Sequence, residues 1–192
     1  MQTEIITYSA PEITLSDDGT RQLAGYYTRY FDSNNAESTQ YRVNNYILRI
    51  AQGALDSADT SECELRYNHN YENPLGNAES GLKLSLNDKG GLYSHPWDET
   101  DPEFIMVEKK LSKKLIGGSS MRFQNAVYEW KKDGDERIMW VKSFGKIVDC
   151  GPVRKPAIKG TGQPLILDAS FDIENEYNRW LRTRTIITLS KM

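Results

Sequence analysis

Residues 81–97, GLKLSLNDKGGLYSHPW, restrict the fold more than any other stretch of the chain. Leu82, Leu84 and Leu86 alternate with polar residues, the period of a strand with one buried face, and Lys89-Gly90-Gly91 then reverses the chain into a second apolar run. Such a pattern is an antiparallel hairpin. A second one follows, in which SMRFQNAVYEW (120–130) and ERIMWVKSFGKIVD (136–149) flank Asp133-Gly134, a strong hairpin-turn signal. With two hairpins of this length, most of the sheet is expected to be antiparallel.

The remaining segments read as supports for that sheet. RQLAGYYTRYF (21–31) is an aromatic-rich strand with Gly25 as a bulge or close-approach point, and DSNNAEST (32–39) is a polar loop. A short helix is expected at 53–58, and CELRYNHNY (63–71) reads as a strand ending near His69 before the turn-rich ENPLGN. Helix signals are strongest at 100–115. Thr100 or Asp101 can cap, Pro102 suits the first helical position, and Phe104, Val107, Leu111 and Leu115 recur on one face. The opposite face, with Glu108, Lys109, Lys110, Lys113 and Lys114, reads as solvated. Gly117, just past the apolar run, looks like the helix stop.

Residues 150–164 form a Gly/Pro-rich connection, so the expected organisation is one domain over 1–163 and a C-terminal extension over 164–192, packed on that domain or peripheral to it. The extension holds DIENEYNRWL, which suggests a helix.

Twenty-four Lys and Arg are spread among 27 Asp and Glu, for a net charge of −3, so the chain has no broad positive field and nucleic acid is not expected as a main partner. Cys63 and Cys150 are far apart and lack Cys-x-x-Cys or Cys/His spacing, which points to a reducing setting without a disulfide framework or metal site. The N-terminus lacks a basic stretch followed by an apolar block, and no run approaches the roughly 18 apolar residues that a membrane helix needs. The reading is a soluble protein with no membrane partner. No P-loop, dinucleotide fingerprint or His-x-x-x-His motif is present, so no cofactor is expected.

Chemistry therefore has to come from ordinary side chains. The chain has two histidines, His69 at a strand end and His95 in YSHPW, and each taken alone is more often structural than catalytic. His69 gains weight from Ser119, Ser120 and Asp149, because a serine nucleophile needs an adjacent base and the base needs an orienting acid. Pairing about the 133–134 turn brings the start of one strand opposite the end of the other, and so brings Ser119 and Ser120 near residues 147–149. Either serine could serve. Backbone N–H groups of Gly118, Ser119 and Met121 are candidates for holding an oxyanion. Cys150 is a rival nucleophile, more simply a small buried hydrophobe, while Asp17-Asp18 and Asp133/Asp135 sit in turn contexts and read as solvated.

Several short pieces, in order, resemble the prohead (capsid maturation) serine protease family of tailed bacteriophages, related to herpesvirus assemblin. LAGYYTRYF is similar to the family's Gly-Tyr-Ala-x-x-Phe strand, and RIAQGALDSA to its Ile-x-Pro-Gly-Ala-Phe segment, with Gln52 for proline and Leu55 for phenylalanine. YNHNYENPLGN resembles the Asn-His…Leu-Gly-Arg motif that carries the catalytic histidine, here His69, with Asn77 for arginine. GLKLSLNDKGGLY resembles the hairpin that follows. GGSSMRF is similar to Gly-x-Ser-Phe-x-Phe, which aligns the nucleophile with Ser120 and leaves Ser119 as the variable residue and the alternative nucleophile. IVDCGPVRKPA resembles Leu-x-Glu-Val-Ser-x-Val-x-x-Pro-Ala, so Asp149 falls on the acidic triad position and Gly151-Pro152 departs from the pattern.

The resemblance implies an α+β fold, mainly an antiparallel β-barrel or curled sheet with a few packed helices, as in assemblin. It implies a serine endopeptidase that cleaves scaffolding protein and major capsid protein extensions, with autoproteolysis, inside the assembling prohead in the cytoplasm of the bacterial host. A homo-oligomer is left open. The alternative reading is a catalytically inactive protease-fold protein that binds scaffold or assists capsid assembly.

Overall fold

A computed structural model describes residues 21–167. In chain order its elements are β1 (Gln22–Arg29), α1 (Ala36–Thr39), β2 (Gln40–Val43), β3 (Tyr46–Ile50), β4 (Glu64–Arg66), β5 (Pro74–Gly76), β6 (Lys83–Asn87), β7 (Gly90–Pro96), α2 (Pro102–Ser112), β8 (Gly118–Gln124), β9 (Val127–Asp133), β10 (Glu136–Ser143), β11 (Lys146–Val153) and β12 (Leu165–Leu167). They form three four-stranded sheets, ordered β12-β1-β7-β6, β2-β3-β10-β9 and β5-β4-β11-β8. All pairs are antiparallel except β3–β10 and β4–β11. The expected α+β, mainly antiparallel character is present. The expected barrel is not: among the described residues the structure is sheet with two short helices, and none of the three sheets closes.

Both predicted hairpins form, the first as β6–β7 and the second as β9–β10 about Gly134. The outer part of the second moves into another sheet. Beyond Asn125 and Gly145 the same two chain segments continue as β8 and β11, with a register that sets Ser120 opposite Gly151. A common core joins the sheets. Leu23, Tyr27, Leu65, Tyr93, Phe104, Val107, Ile116, Phe144 and Ile147 are its large, almost fully buried members, each contributing about 1.5–3 kcal/mol where an aliphatic or phenyl group is fully buried.

Several expectations are corrected. Residues 53–58 form successive turns, with Gly53 at φ +77°, and no helix. The strand expected to run to His69 stops at Arg66. In β1 the irregularity lies between Tyr26 and Thr28 rather than at Gly25; Gly25 is a close-approach point, where a Cβ would sit 3.2 Å from both Pro164 and the Tyr93 hydroxyl.

Helix α2 starts as predicted, with the Asp101 side chain accepting from the Glu103 N–H and Pro102 in the first turn. Its stop is elsewhere. Lys114 takes the left-handed conformation at φ +55°, its N–H donates to the Leu111 carbonyl, and the Leu115 N–H donates to the Lys110 carbonyl. That pair of bonds is a Schellman cap built on lysine, three residues before Gly117. Gly117 and Gly118 instead lead into β8 and allow close packing. A Cβ on Gly117 would lie 2.7 Å from the Arg154 carbonyl, and one on Gly118 would lie 2.7 Å from Thr161 Oγ1.

Candidate active site

The β8–β11 pair presents two faces. Ser119 opposite Pro152 and Met121 opposite Cys150 belong to one; Ser120 opposite Gly151 and Arg122 opposite Asp149 belong to the other. Ser119 is 1 % exposed, its hydroxyl lies 2.9 Å from the Tyr93 hydroxyl, and its N–H donates to Thr161 Oγ1 at 3.2 Å. Ser120, one residue on, points the other way and is half-buried. A bulge makes this separation possible. Val148 is the extra residue between the Ile147–Phe123 and Asp149–Arg122 pairs, so Ile147 faces the core and Asp149, two positions later, faces the opposite side with Ser120.

His69 reaches that same face from the turn after β4. Asn68 (φ +50°) and His69 (φ +57°) are consecutive left-handed residues, a conformation uncommon outside glycine and worth noting where it clusters. The turn swings the imidazole over β11, where Nδ1 is hydrogen-bonded to Asp149 Oδ1. Asp149 is fully buried, whereas the His69 side chain keeps 18 % of its surface open. Among the described residues no side chain bonds His69 Nε2, so the outer nitrogen is available as a proton acceptor.

Arg66 completes the surroundings of the acid and was missed in the sequence. Its guanidinium is ion-paired with Glu64, and its Nη1 lies 3.8 Å from Asp149 Oδ2. Among the described residues these two atoms are buried without any hydrogen-bond partner, so each is compensated mainly by the other's charge. Tyr71 caps the arrangement, with Arg66 3.8 Å and Arg122 4.9 Å from its ring centroid. Glu64 and Arg66 are two apart on a strand and so share a face, which is the one sequence signal that could have linked them.

Gly151, a departure from the family pattern, is explained by the same packing. Its φ is +145°, and a Cβ there would lie 2.3 Å from the Arg66 carbonyl oxygen. The strand must approach the histidine turn too closely for any side chain.

The remaining candidates lie apart from this face. Cys150 is in the core, its Sγ 3.9 Å from that of Cys63, and burial pushes its thiol well above the usual range. As a rival nucleophile it is on the wrong side of the strand. Its neighbour Tyr93 is likewise held neutral by burial. His95 is structural: Nδ1 donates to the Pro96 carbonyl at 2.6 Å, Nε2 is 3.0 Å from Ser80 Oγ, and the ring stacks on Phe104. Burial lowers its pKa below the ordinary 6.5. Of the expected oxyanion donors, the Ser119 N–H is taken by Thr161, and the alternation of β8 puts the Met121 N–H on the strand's outer edge, away from β11. Gly118 begins the ladder opposite Val153. Among the described residues no group of three or more His, Cys, Asp or Glu is arranged to hold a metal ion, and no helix is long and apolar enough to cross a membrane. Asp133 and Asp135 are exposed at the β9–β10 turn, and Asp17-Asp18 lie outside the described residues.

Comparison with known proteins gives one family: the model for the caudovirus prohead serine proteases matches residues 7–171. No curated protein and no solved structure gives a significant match.

Proposed function

The chain belongs to the caudovirus prohead serine protease family, and from that premise we propose that it is a maturation endopeptidase with Ser120 as nucleophile, His69 as general base and Asp149 as the orienting acid. The observation that carries the reading is the hydrogen bond from His69 to Asp149 on the face of the sheet that Ser120 shares. With the Nδ1 proton held by the carboxylate, the imidazole is fixed in the tautomer whose Nε2 can accept.

In the first half-reaction Nε2 takes the Ser120 hydroxyl proton as Oγ bonds to the scissile carbonyl carbon. The resulting tetrahedral oxyanion collapses, the C–N bond breaks, and the imidazolium returns the proton to the departing amine. A water molecule, deprotonated by the same nitrogen, then cleaves the acyl ester and restores the serine. The Met121 N–H on the outer edge of β8 is the remaining oxyanion donor, with a contribution of about 3–4 kcal/mol to the transition state. Arg66, with Nη1 3.8 Å from Asp149 Oδ2, places a positive charge beside the acid throughout.

Family membership supports capsid-related substrates, namely scaffolding protein and the extension of the major capsid protein, together with self-cleavage during assembly inside the host. The test is cleavage of scaffolding protein by the wild type, Ser120→Ala and His69→Ala, followed by gel electrophoresis. Both variants are expected to be inactive. If both cleave at the wild-type rate the assignment fails, and if none of the three chains cleaves while all bind scaffold, the chain is a binding component instead.

A further inference from the structure

We propose that Asn68 is the positioning residue for His69: its side-chain carbonyl ties the histidine turn to the end of β11, and the imidazole keeps its bond to Asp149 only while that tie holds. This rests on the reading of His69 as the catalytic base.

The argument begins with conformation. Two successive non-glycine residues in the left-handed region do not persist on local preference alone, so surrounding contacts must hold them there. Within the turn one backbone bond helps, from the Asn70 N–H to the Tyr67 carbonyl at 3.1 Å. The residues on either side are held elsewhere, Tyr67 against the core with Lys110 over its ring and Tyr71 under Arg122, while three contacts of the segment 66–69 run to β11. The Arg66 backbone lies against Gly151, His69 bonds Asp149, and Asn68 Oδ1 accepts the Arg154 N–H at 2.8 Å, immediately past the strand's last residue, Val153. The first of these lies before the two left-handed residues and the last is at them. Without the last, the side-chain hydrogen bonds that remain on the two left-handed residues, among the described residues, reduce to the His69–Asp149 bond itself.

Asn68 is also a residue with little else to do. It is exposed and takes no part in the core, and the Arg154 N–H is near enough to solvent for water to satisfy it when the asparagine is removed. Its loss should therefore misplace the base more than it destabilises the fold. Asparagine suits the task on two counts, since it is among the few side chains that tolerate the left-handed region and it carries an acceptor at the required reach.

The experiment separates these two properties in the full chain. Asn68→Gly keeps the conformational freedom and removes the acceptor, Asn68→Asp keeps both, and Asn68→Ala removes both. Expected is a loss in kcat of about 100-fold for the Ala and Gly variants with KM changed by less than about twofold, the scale of an ångström-level misplacement of a reacting group. Asn68→Asp should remain within about threefold of wild type. A second readout is independent of turnover: the low-field proton NMR signal of the His69–Asp149 hydrogen bond, recorded in the Ser120→Ala background. It should persist with Asn68→Asp and vanish with Asn68→Gly and Asn68→Ala. Wild-type kcat together with an intact signal in Asn68→Gly would overturn the proposal, because conformational freedom alone would then suffice. Full cleavage by Ser120→Ala would instead sink the catalytic reading, while the NMR signal would still report whether Asn68 positions the ring.

Discussion

The two faces of the β8–β11 pair are built from alternate residues of the same few positions, yet one is sealed in the core and the other carries the His69–Asp149 pair. On the sealed face Ser119 is bonded to Tyr93 and Cys150 lies against Cys63. On the open face Ser120 is half-buried, and Asp149 is turned toward an imidazole that arrives from a separate strand. A hydroxyl and a thiol in the core act as packing groups there, because burial holds the thiol protonated and every polar partner is a structural one. Strand parity rather than residue type therefore sets the two serines apart.

The largest test of that contrast is removal of the acid. Asp149→Asn should lower kcat by about 10,000-fold, since an amide no longer holds the productive imidazole tautomer. Cys150→Ala, on the other side of the strand, should leave cleavage within about threefold in the same assay. Next in size is Gly151→Ala, which forces a methyl group into the Arg66 carbonyl at a left-handed position; urea denaturation should show a loss of about 2–4 kcal/mol. Ser119→Ala should cost about 1–2 kcal/mol of stability, because the Tyr93 hydroxyl is left buried without its partner, and turnover should change little. If Ser119→Ala silences the enzyme and Ser120→Ala does not, the two faces have been assigned the wrong way round.

The smallest effect concerns His95. Its folded-state pKa is depressed, so below its ordinary value of 6.5 the unfolded chain binds the proton more readily than the fold does. Stability supplied by the neutral ring is present above that pH and declines as the pH falls from 6.5 toward the lower folded value. In His95→Gln the same span should show a shallower slope in melting temperature.

Much of this was legible from residue patterns. The hairpins followed from alternation and turn chemistry, the start of α2 from Asp101-Pro102, and the pairing of the serine strand with β11 from the turn at Gly134, although two register shifts move the partners of Ser120 and Ser119 from 147–149 to Gly151 and Pro152. What stayed hidden depends on contacts distant in sequence. Gly117 has the right spacing for a helix stop, but Lys114 makes the cap, and the glycine is needed because Arg154 passes within reach of where a Cβ would be. The segment 53–58 contains good helix formers and still turns, since its backbone is tied to the strands beside it, as in the bond from the Phe144 N–H to the Ala54 carbonyl. Arg66 beside Asp149, and the parity that separates the two serines, both need the register of β11, which a one-residue bulge shifts out of any simple alternation.

That bulge also bears on how the chain finds its structure. If β11 zipped onto β8 without setting Val148 aside, every residue beyond Ile147 would advance by one: Cys150 would stand across from Ser120, and the carboxylate of Asp149 would be driven in beside Met121 among apolar side chains. An unpaired carboxylate is among the most costly groups to bury, so the misaligned ladder is penalised as it forms. The acid thereby acts as an assembly proofreader, rejecting the wrong strand register before any substrate is met.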